Sequence, residues 1–168
     1  MKLNYRDVTR EWLKNSCPNS HKVKTRNYYE CDGIRYFVDG KKVVLDYTNY
    51  EKDIAVWLEN SFGGKIYLLP KVNEPKGIKT ADYLFRNEYL DLKKMSCNAI
   101  SEKRAVDNVV KKSKFQTENI ILDISDSILN ENIILQQVRR LYSTSGRELI
   151  KYVVIVKNFN LIKVFIRK

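Results

Sequence analysis

The chain has a single histidine, His21, and that scarcity removes whole classes of chemistry. One imidazole cannot build a multi-histidine metal centre or an acid–base scheme that uses two histidines. Cysteine is almost as sparse. Cys17, Cys31 and Cys97 are odd in number, far apart and never in a CxxC spacing. That pattern argues against a disulfide framework and against a zinc site, and it fits a reducing, cytosolic setting. Long apolar runs are missing too. No segment reaches the length of a membrane span, so no membrane is expected among the partners. Met1 to Arg10 is polar throughout and shows no export signal. There is no internal repeat and no low-complexity tract.

What the chain has in excess is positive charge. Its 168 residues carry a formal net charge of +11. A polyanion, nucleic acid foremost, is the partner such a balance favours. The bland alternative is a basic surface that only keeps the chain soluble. Hydrophobic residues make up 43% and charged residues 30%, enough apolar matter for a folded core and enough charge for solubility. The length suits one domain, alone or with an appendage.

The most informative stretch runs from Thr80 to Lys93. Phe85 and Glu88 flank a two-residue turn, Arg86-Asn87, and asparagine tolerates the left-handed backbone such a turn needs. The register of that hairpin sets Asp82 opposite Asp91. Directly opposed residues have Cβ atoms about 5 Å apart, where like charges destabilise each other, so something must compensate. Side chains alternate along a strand, so Asp91 and Lys93 share a face and Leu90 and Leu92 take the other, toward a core. Two acids and a lysine on one face suit metal-assisted phosphodiester cleavage. Carboxylates are hard oxygen ligands for magnesium or a similar divalent cation. The cation polarises a phosphate and acidifies a bound water. A lysine holds that water or meets the developing negative charge. The plain alternative is an ordinary solvated hairpin face.

Around this stretch the chain reads as an α/β (α+β) protein. Residues 1–46 form an N-terminal appendage. It has a short helix near Val8, Trp12 and Leu13, then a three-stranded meander with turns at Asp32-Gly33 and Asp39-Gly40. Residues 47–168 form the main α/β domain. Thr48 to Glu51 is a capping box that opens a helix through Ile54, Trp57, Leu58 and Phe62, which Gly63-Gly64 ends. A strand at 65–69, a loop at 71–79 and the acidic hairpin follow. A second helix starts at Ser101, with Lys103, Arg104, Lys111, Lys112 and Lys114 on its outer face. Ile120 to Ile124 reads as a strand buried on both faces. A third helix near 131–142 and a hairpin around Asn158-Phe159-Asn160 complete the chain. The order from Thr48 is αβββαβ, then αββ, which gives a mixed sheet with helices on its faces.

This order, with an acid on the second strand and Asp-x-Lys on the third, resembles the restriction-endonuclease-like superfamily, whose pattern is Pro-Asp…(Asp/Glu)-x-Lys. Asp82, Asp91 and Lys93 match its two acids and its lysine, and Ala81 stands where proline is usual. The first helix of such folds often offers another acid to the metal, a part that Glu59 or, less favourably placed, Glu51 would take.

A closer resemblance covers residues 46–168. Gly77 to Leu84, then Asp91-Leu92-Lys93, then Gln116 to Ile124 look like the C-terminal tRNase domain of contact-dependent growth inhibition toxins. Stand-alone relatives of that domain occur in Gram-positive mobile elements and phages. The resemblance implies RNA cleavage, with tRNA as the expected substrate and cytoplasm as the place of action. It also implies a possible immunity protein or host defence complex as partner. Residues 1–45 lie outside it.

Three functions follow. In the first, Asp82, Asp91 and Glu59 bind a divalent metal, magnesium foremost, Lys93 aids the attacking water, and Gln116 orients water or phosphate. Lys103, Arg104, Lys111, Lys112 and Lys114 track the nucleic-acid backbone, RNA before DNA. In the second, the chain is a metal-free, barnase-like RNase that uses Lys93 and the RNA 2′-hydroxyl. In the third, it cleaves nothing and binds nucleic acid, or inhibits a host defence complex, for a mobile element.

Overall fold

The computed structural model describes residues 4–14, 23–96, 103–112 and 117–168. In chain order the elements begin with β1 (Tyr5–Asp7), α1 (Thr9–Lys14), β2 (Lys24–Thr25), β3 (Tyr28–Cys31), β4 (Ile34–Phe37) and β5 (Val43–Val44). Then come α2 (Asn49–Phe62), β6 (Ile66–Leu68), β7 (Lys71–Val72), β8 (Tyr83–Phe85) and β9 (Glu88–Lys94). Last are α3 (Ala105–Lys111), β10 (Asn119–Asp123), α4 (Glu131–Leu141), β11 (Tyr152–Lys157) and β12 (Asn160–Arg167). The class is α+β with mixed strand pairing, as expected. The chain divides into two compact units, Met1–Trp12 with Asp91–Lys168, and Leu13–Leu90.

In the first unit the strands run in the order β1, β12, β11, β10 and the second half of β9. β10 pairs parallel with β9 on one side and with β11 on the other. Every residue of β10 is buried, which is why Ile120, Ile121 and Leu122 read as one apolar run rather than as an alternation. Parallel neighbours need crossovers, and α3 and α4 supply them. Val106 and Val110 of α3 and Ile134, Val138 and Leu141 of α4 pack into one core with Ile120, Leu122, Val153, Ile155 and Phe165. The N-cap of α3 is Arg104, which makes no side-chain cap, so the free Val106 N–H donates instead to Gln137 Oε1 of α4, 3.1 Å away. β11 and β12 form the expected hairpin, with Asn158 and Phe159 at its positive-φ turn. Arg167 at its end donates to the carbonyls of Tyr142, Arg147 and Ile150 and so closes the chain after α4. β1 was not apparent in the sequence. Its three residues alternate weakly, and what makes them a strand is the open edge of β12.

In the second unit β2, β6, β8 and the first half of β9 form a ladder, parallel only between β2 and β6. The expected capping box is present: Thr48 accepts from the Glu51 N–H at 3.1 Å, and the Glu51 carboxylate accepts from the Thr48 N–H. α2 buries Ile54, Trp57, Leu58 and Phe62, and Gly63 at φ +69° and Gly64 at φ +96° end it. Tyr83 Oη donates to the Glu51 carbonyl at 2.8 Å and ties the hairpin to the first turn of the helix. The meander differs from expectation. β3 and β4 form a hairpin across Asp32-Gly33, but β5 pairs with β7, in the stretch read from sequence as a loop. The reason lies at Asp39. Its carboxylate accepts the N–H groups of Lys41, Lys42 and Val43 at 2.7–3.0 Å, which caps a wider turn and aims β5 away from β4.

Asp7 joins β1 to α1. Burial opposes its ionisation, but hydrogen bonds from Thr9 and Lys163 outweigh that and pull its pKa down to about 2. A depressed carboxylate stabilises the fold above its unfolded pKa of about 4 and loses that contribution as pH falls toward its folded value. Asp7→Asn should therefore be less stable than wild type above about pH 4, with the gap narrowing toward pH 2. Urea midpoints at steps of half a pH unit test this, and a gap that does not change with pH assigns Asp7 no ionic role.

Candidate functional site

β9 carries two of the candidate site residues, Asp91 and Lys93. In the first unit Asp91 lies beside Ile120 and Lys93 beside Leu122 in the parallel ladder. Paired residues of neighbouring strands point to the same face, so Asp91 and Lys93 project to the face that α3 and α4 cover. Met95, next on that face, sits in the same core. The expected sharing of a face by Asp91 and Lys93 is present, and Leu90 is buried while Leu92 is half-buried. The environment is not that of a solvated hairpin face. Asp91 is only 1% exposed. Lys93 Nζ lies 2.8 Å from Asp91 Oδ2, and its side chain is 21% exposed, so it joins a buried acid to the surface. This is a charge contact and not an aligned hydrogen bond: neither Asp91 oxygen has a hydrogen-bond partner among the described residues. Burying an ion pair costs several kcal/mol of solvation unless further partners meet the remaining lone pairs.

The second unit holds the other two acids. The hairpin has the expected register, with Tyr83 opposite Leu90, Leu84 opposite Tyr89 and Phe85 opposite Glu88. Arg86 and Asn87 take φ of 52° and 62°, the left-handed pair that a two-residue turn of this hand requires. Asp82 is half-buried and its backbone is held on both sides. Its N–H donates to the Leu90 carbonyl at 3.0 Å, and its carbonyl accepts from Leu69 at 3.0 Å. In the chain Asp82 precedes, and Asp91 follows, the last bridged pair of the hairpin. Glu59 is 0% exposed, on the side of α2 that buries Ala55, Leu58 and Phe62. Neither of its carboxylate oxygens has a hydrogen-bond partner among the described residues. Glu51, the other acid of the helix, is taken by the capping box.

Glu59 in the second unit and Asp91 in the first are each a buried carboxylate without a hydrogen-bond partner among the described residues, the kind of oxygen donor that a hard cation accepts. Among the described residues no three histidine, cysteine, aspartate or glutamate side chains are gathered as a complete ligand set. Gln116 and Lys114 lie outside the described residues. Lys103, Arg104, Lys111 and Lys112 are exposed at the two ends of α3. Two features escaped the sequence reading. Asp123 ends β10 buried, its carboxylate accepting from the Ser125 N–H at 2.8 Å, beside Lys94, which pairs with Asp126 at 2.8 Å. Arg140, at the end of α4, lines a cavity with Lys103 and Arg104. An arginine in a helix's last turn is so ordinary a complement to the helix dipole that its sequence carries no sign of this second use.

Residues 79–161 match the family model of the contact-dependent growth inhibition CdiA C-terminal domain. The matched span is just under half of the chain. It contains Asp82, Asp91 and Lys93 and the five cations named between Lys103 and Lys114, and it leaves out Glu59. No curated protein matches the chain. A chain of the CdiA-CT/CdiI toxin and immunity complex from Burkholderia pseudomallei is similar at 21% identity. That similarity covers 71% of this chain and 83% of that one, with a TM-score of 0.49.

The buried carboxylate of Glu59 leads to a prediction. In EDTA, Glu59→Met should raise the unfolding free energy by about 1–3 kcal/mol, the usual cost of a buried polar group left unpaired, which an apolar side chain of similar length removes. Added Mg²⁺ should then stabilise wild type more than the variant. Urea titrations of both proteins read this out, and an equal response to Mg²⁺ removes Glu59 from the ligand set.

Proposed function

We propose that the chain is a toxin-type nuclease domain that cleaves RNA, tRNA foremost, by metal-assisted phosphodiester hydrolysis. The observation that carries this reading is the buried Asp91–Lys93 pair on β9, within the span that matches the CdiA C-terminal domain. A lysine bound to a buried acid has its ammonium held in place before any substrate arrives. In this reading Asp91, Asp82 and Glu59 are the residues that would offer oxygen donors to a divalent cation, magnesium foremost. When bound, that cation polarises the scissile phosphate and lowers the pKa of an attacking water. Asp91 would then have two tasks: it would offer an oxygen to the cation, and it fixes the Lys93 ammonium 2.8 Å away. Lys93 has protons to donate and no lone pair while charged, so it steadies the water or the negative charge that grows on the phosphate. Gln116 orients water or phosphate in the same reading.

The net charge of +11 supports a polyanionic substrate, which it would draw in from a distance and release as salt rises. It also bears on a partner. A nuclease that is toxic to the cell producing it needs a neutralising protein, and an acidic immunity protein is the complement this surface favours.

A second reading keeps RNA cleavage and drops the metal. It is favoured by one observation, that no three ligating side chains gather among the described residues. Lys93 would then act on a reaction in which the RNA 2′-hydroxyl is the nucleophile.

Purified protein incubated with tRNA, other RNA and DNA, in Mg²⁺ or in EDTA, tests the proposal. Cleavage of RNA in Mg²⁺ alone is the expected result. Asp91→Ala should lose at least about 100-fold in rate, the scale of a removed transition-state interaction. Lys93→Ala should lose a similar factor but still bind Mg²⁺. EDTA-resistant cleavage that leaves a 2′,3′-cyclic phosphate moves the mechanism to the second reading. No cleavage of any substrate ends the enzyme reading and leaves a nucleic-acid-binding or anti-defence protein of a mobile element.

A further inference from the structure

We propose that the cavity between α3 and α4 is a phosphate-binding site, built to hold a phosphodiester of an RNA chain at a contact separate from the chemistry on β9. The proposal rests on the nuclease reading only in taking RNA as the polymer that brings the phosphate.

The cavity lies within the first unit and has a volume of about 350 Å³, within the range of sites that hold small ligands. Three of its lining side chains are cations, Lys103, Arg104 and Arg140. None of the three makes an ion pair among the described residues. The single acid in the lining, Asp107, is already answered: Arg147 Nε lies 2.8 Å from its Oδ1. The cavity therefore presents a surplus of positive charge that nothing in its own lining cancels. Three like charges around one concavity repel each other, and an anion relieves that cost. Phosphate is the anion whose geometry suits two guanidinium forks and an ammonium.

The cations are also held from beneath. Val106 N–H donates to Gln137 Oε1 at 3.1 Å, which docks the first turn of α3, just after Lys103 and Arg104, onto α4. Thr144 Oγ1 donates to the Arg140 carbonyl at 2.8 Å and extends the hydrogen bonding past the end of α4 beneath the Arg140 side chain. The backbone that carries the charges is thus positioned by hydrogen bonds that no ligand needs to form, a preorganisation that lowers the entropy cost of binding. Lys111 and Lys112, expected from the sequence to follow the nucleic-acid backbone, lie at the far end of α3 outside the cavity, so a variant of equal charge there measures the general surface contribution against that of the site.

The test is equilibrium binding by fluorescence anisotropy, in EDTA, with fluorescein-labelled tRNA and a single-stranded RNA. The proteins are wild type, Lys103→Gln/Arg140→Gln and Lys111→Gln/Lys112→Gln. The cavity double variant should weaken RNA binding by about 10-fold or more and flatten the slope of log affinity against log salt by about 1 to 2. The α3-end variant should lose less than about 3-fold. A parallel titration with AMP and pyrophosphate separates the sources of phosphate. If these bind and are lost with Lys103 and Arg140 while RNA affinity is unchanged, the RNA assignment is overturned in favour of a free nucleotide. Equal losses for the two double variants overturn the site, because the effect is then one of general surface charge. Unchanged affinity in both overturns it as well. The two readings fail separately. Wild type that cleaves RNA in Mg²⁺ while the cavity variant binds normally keeps the nuclease and removes this site. RNA binding that depends on the cavity, in a protein that cleaves nothing, keeps the site and removes the nuclease.

Discussion

The constraint on which the first unit depends is the parallel pairing of β10. A strand with no exposed residue must have apolar cover on both faces, and parallel neighbours cannot be joined by a tight turn. Both demands are met by the crossovers β9–α3–β10 and β10–α4–β11. Once α3 and α4 cover one face, everything that points to that face from β9 is buried with it. Asp91 follows Ile120 into the interior because the ladder places them side by side. The unusual burial of an acid is therefore a consequence of the sheet, and Lys93, two residues on, reaches back to pair with it.

The distribution of charge separates two kinds of work. Among the described residues only three carboxylates, Glu59, Asp91 and Asp123, are buried; Glu59 and Asp91 gain no hydrogen bond there, and as oxygen donors they suit a cation. The cations are many and mostly at the surface, where their combined field acts over about a Debye length on any polyanion. Interior charges are few and costly, and exterior ones are many and inexpensive. In the cavity between α3 and α4 the two styles meet, since exposed cations there stand on a backbone fixed by Gln137 and Thr144.

Local signals were the most legible part of the sequence. Arg86-Asn87 set the hairpin register because a two-residue turn admits few backbone shapes, and Thr48 with Glu51 marked the start of α2 through a reciprocal cap. The order of helices and strands from α2 onward, apart from β7, and the sharing of a face by Asp91 and Lys93 followed from such signals. The third strand of the meander did not. Val43-Val44 has the composition of a strand but no partner written into it, and the Asp39 turn sent it to Lys71-Val72 instead of Ile34–Phe37. β1 was missed for a related reason: three residues become a strand only when an open edge such as β12 is there to receive them.

What the sequence determined by itself was the periodic pattern, the turns and caps, the charge balance and the residues able to do chemistry. Each depends on neighbours within about four positions or on totals, and both can be counted along a chain. Only the tertiary structure decided which strand met which, that Asp91 and Glu59 would be stripped of water, and that Arg140 would join Lys103 and Arg104 around one cavity. Burial and convergence depend on residues tens of positions apart, and a buried acid is written with the same letter as a solvated one.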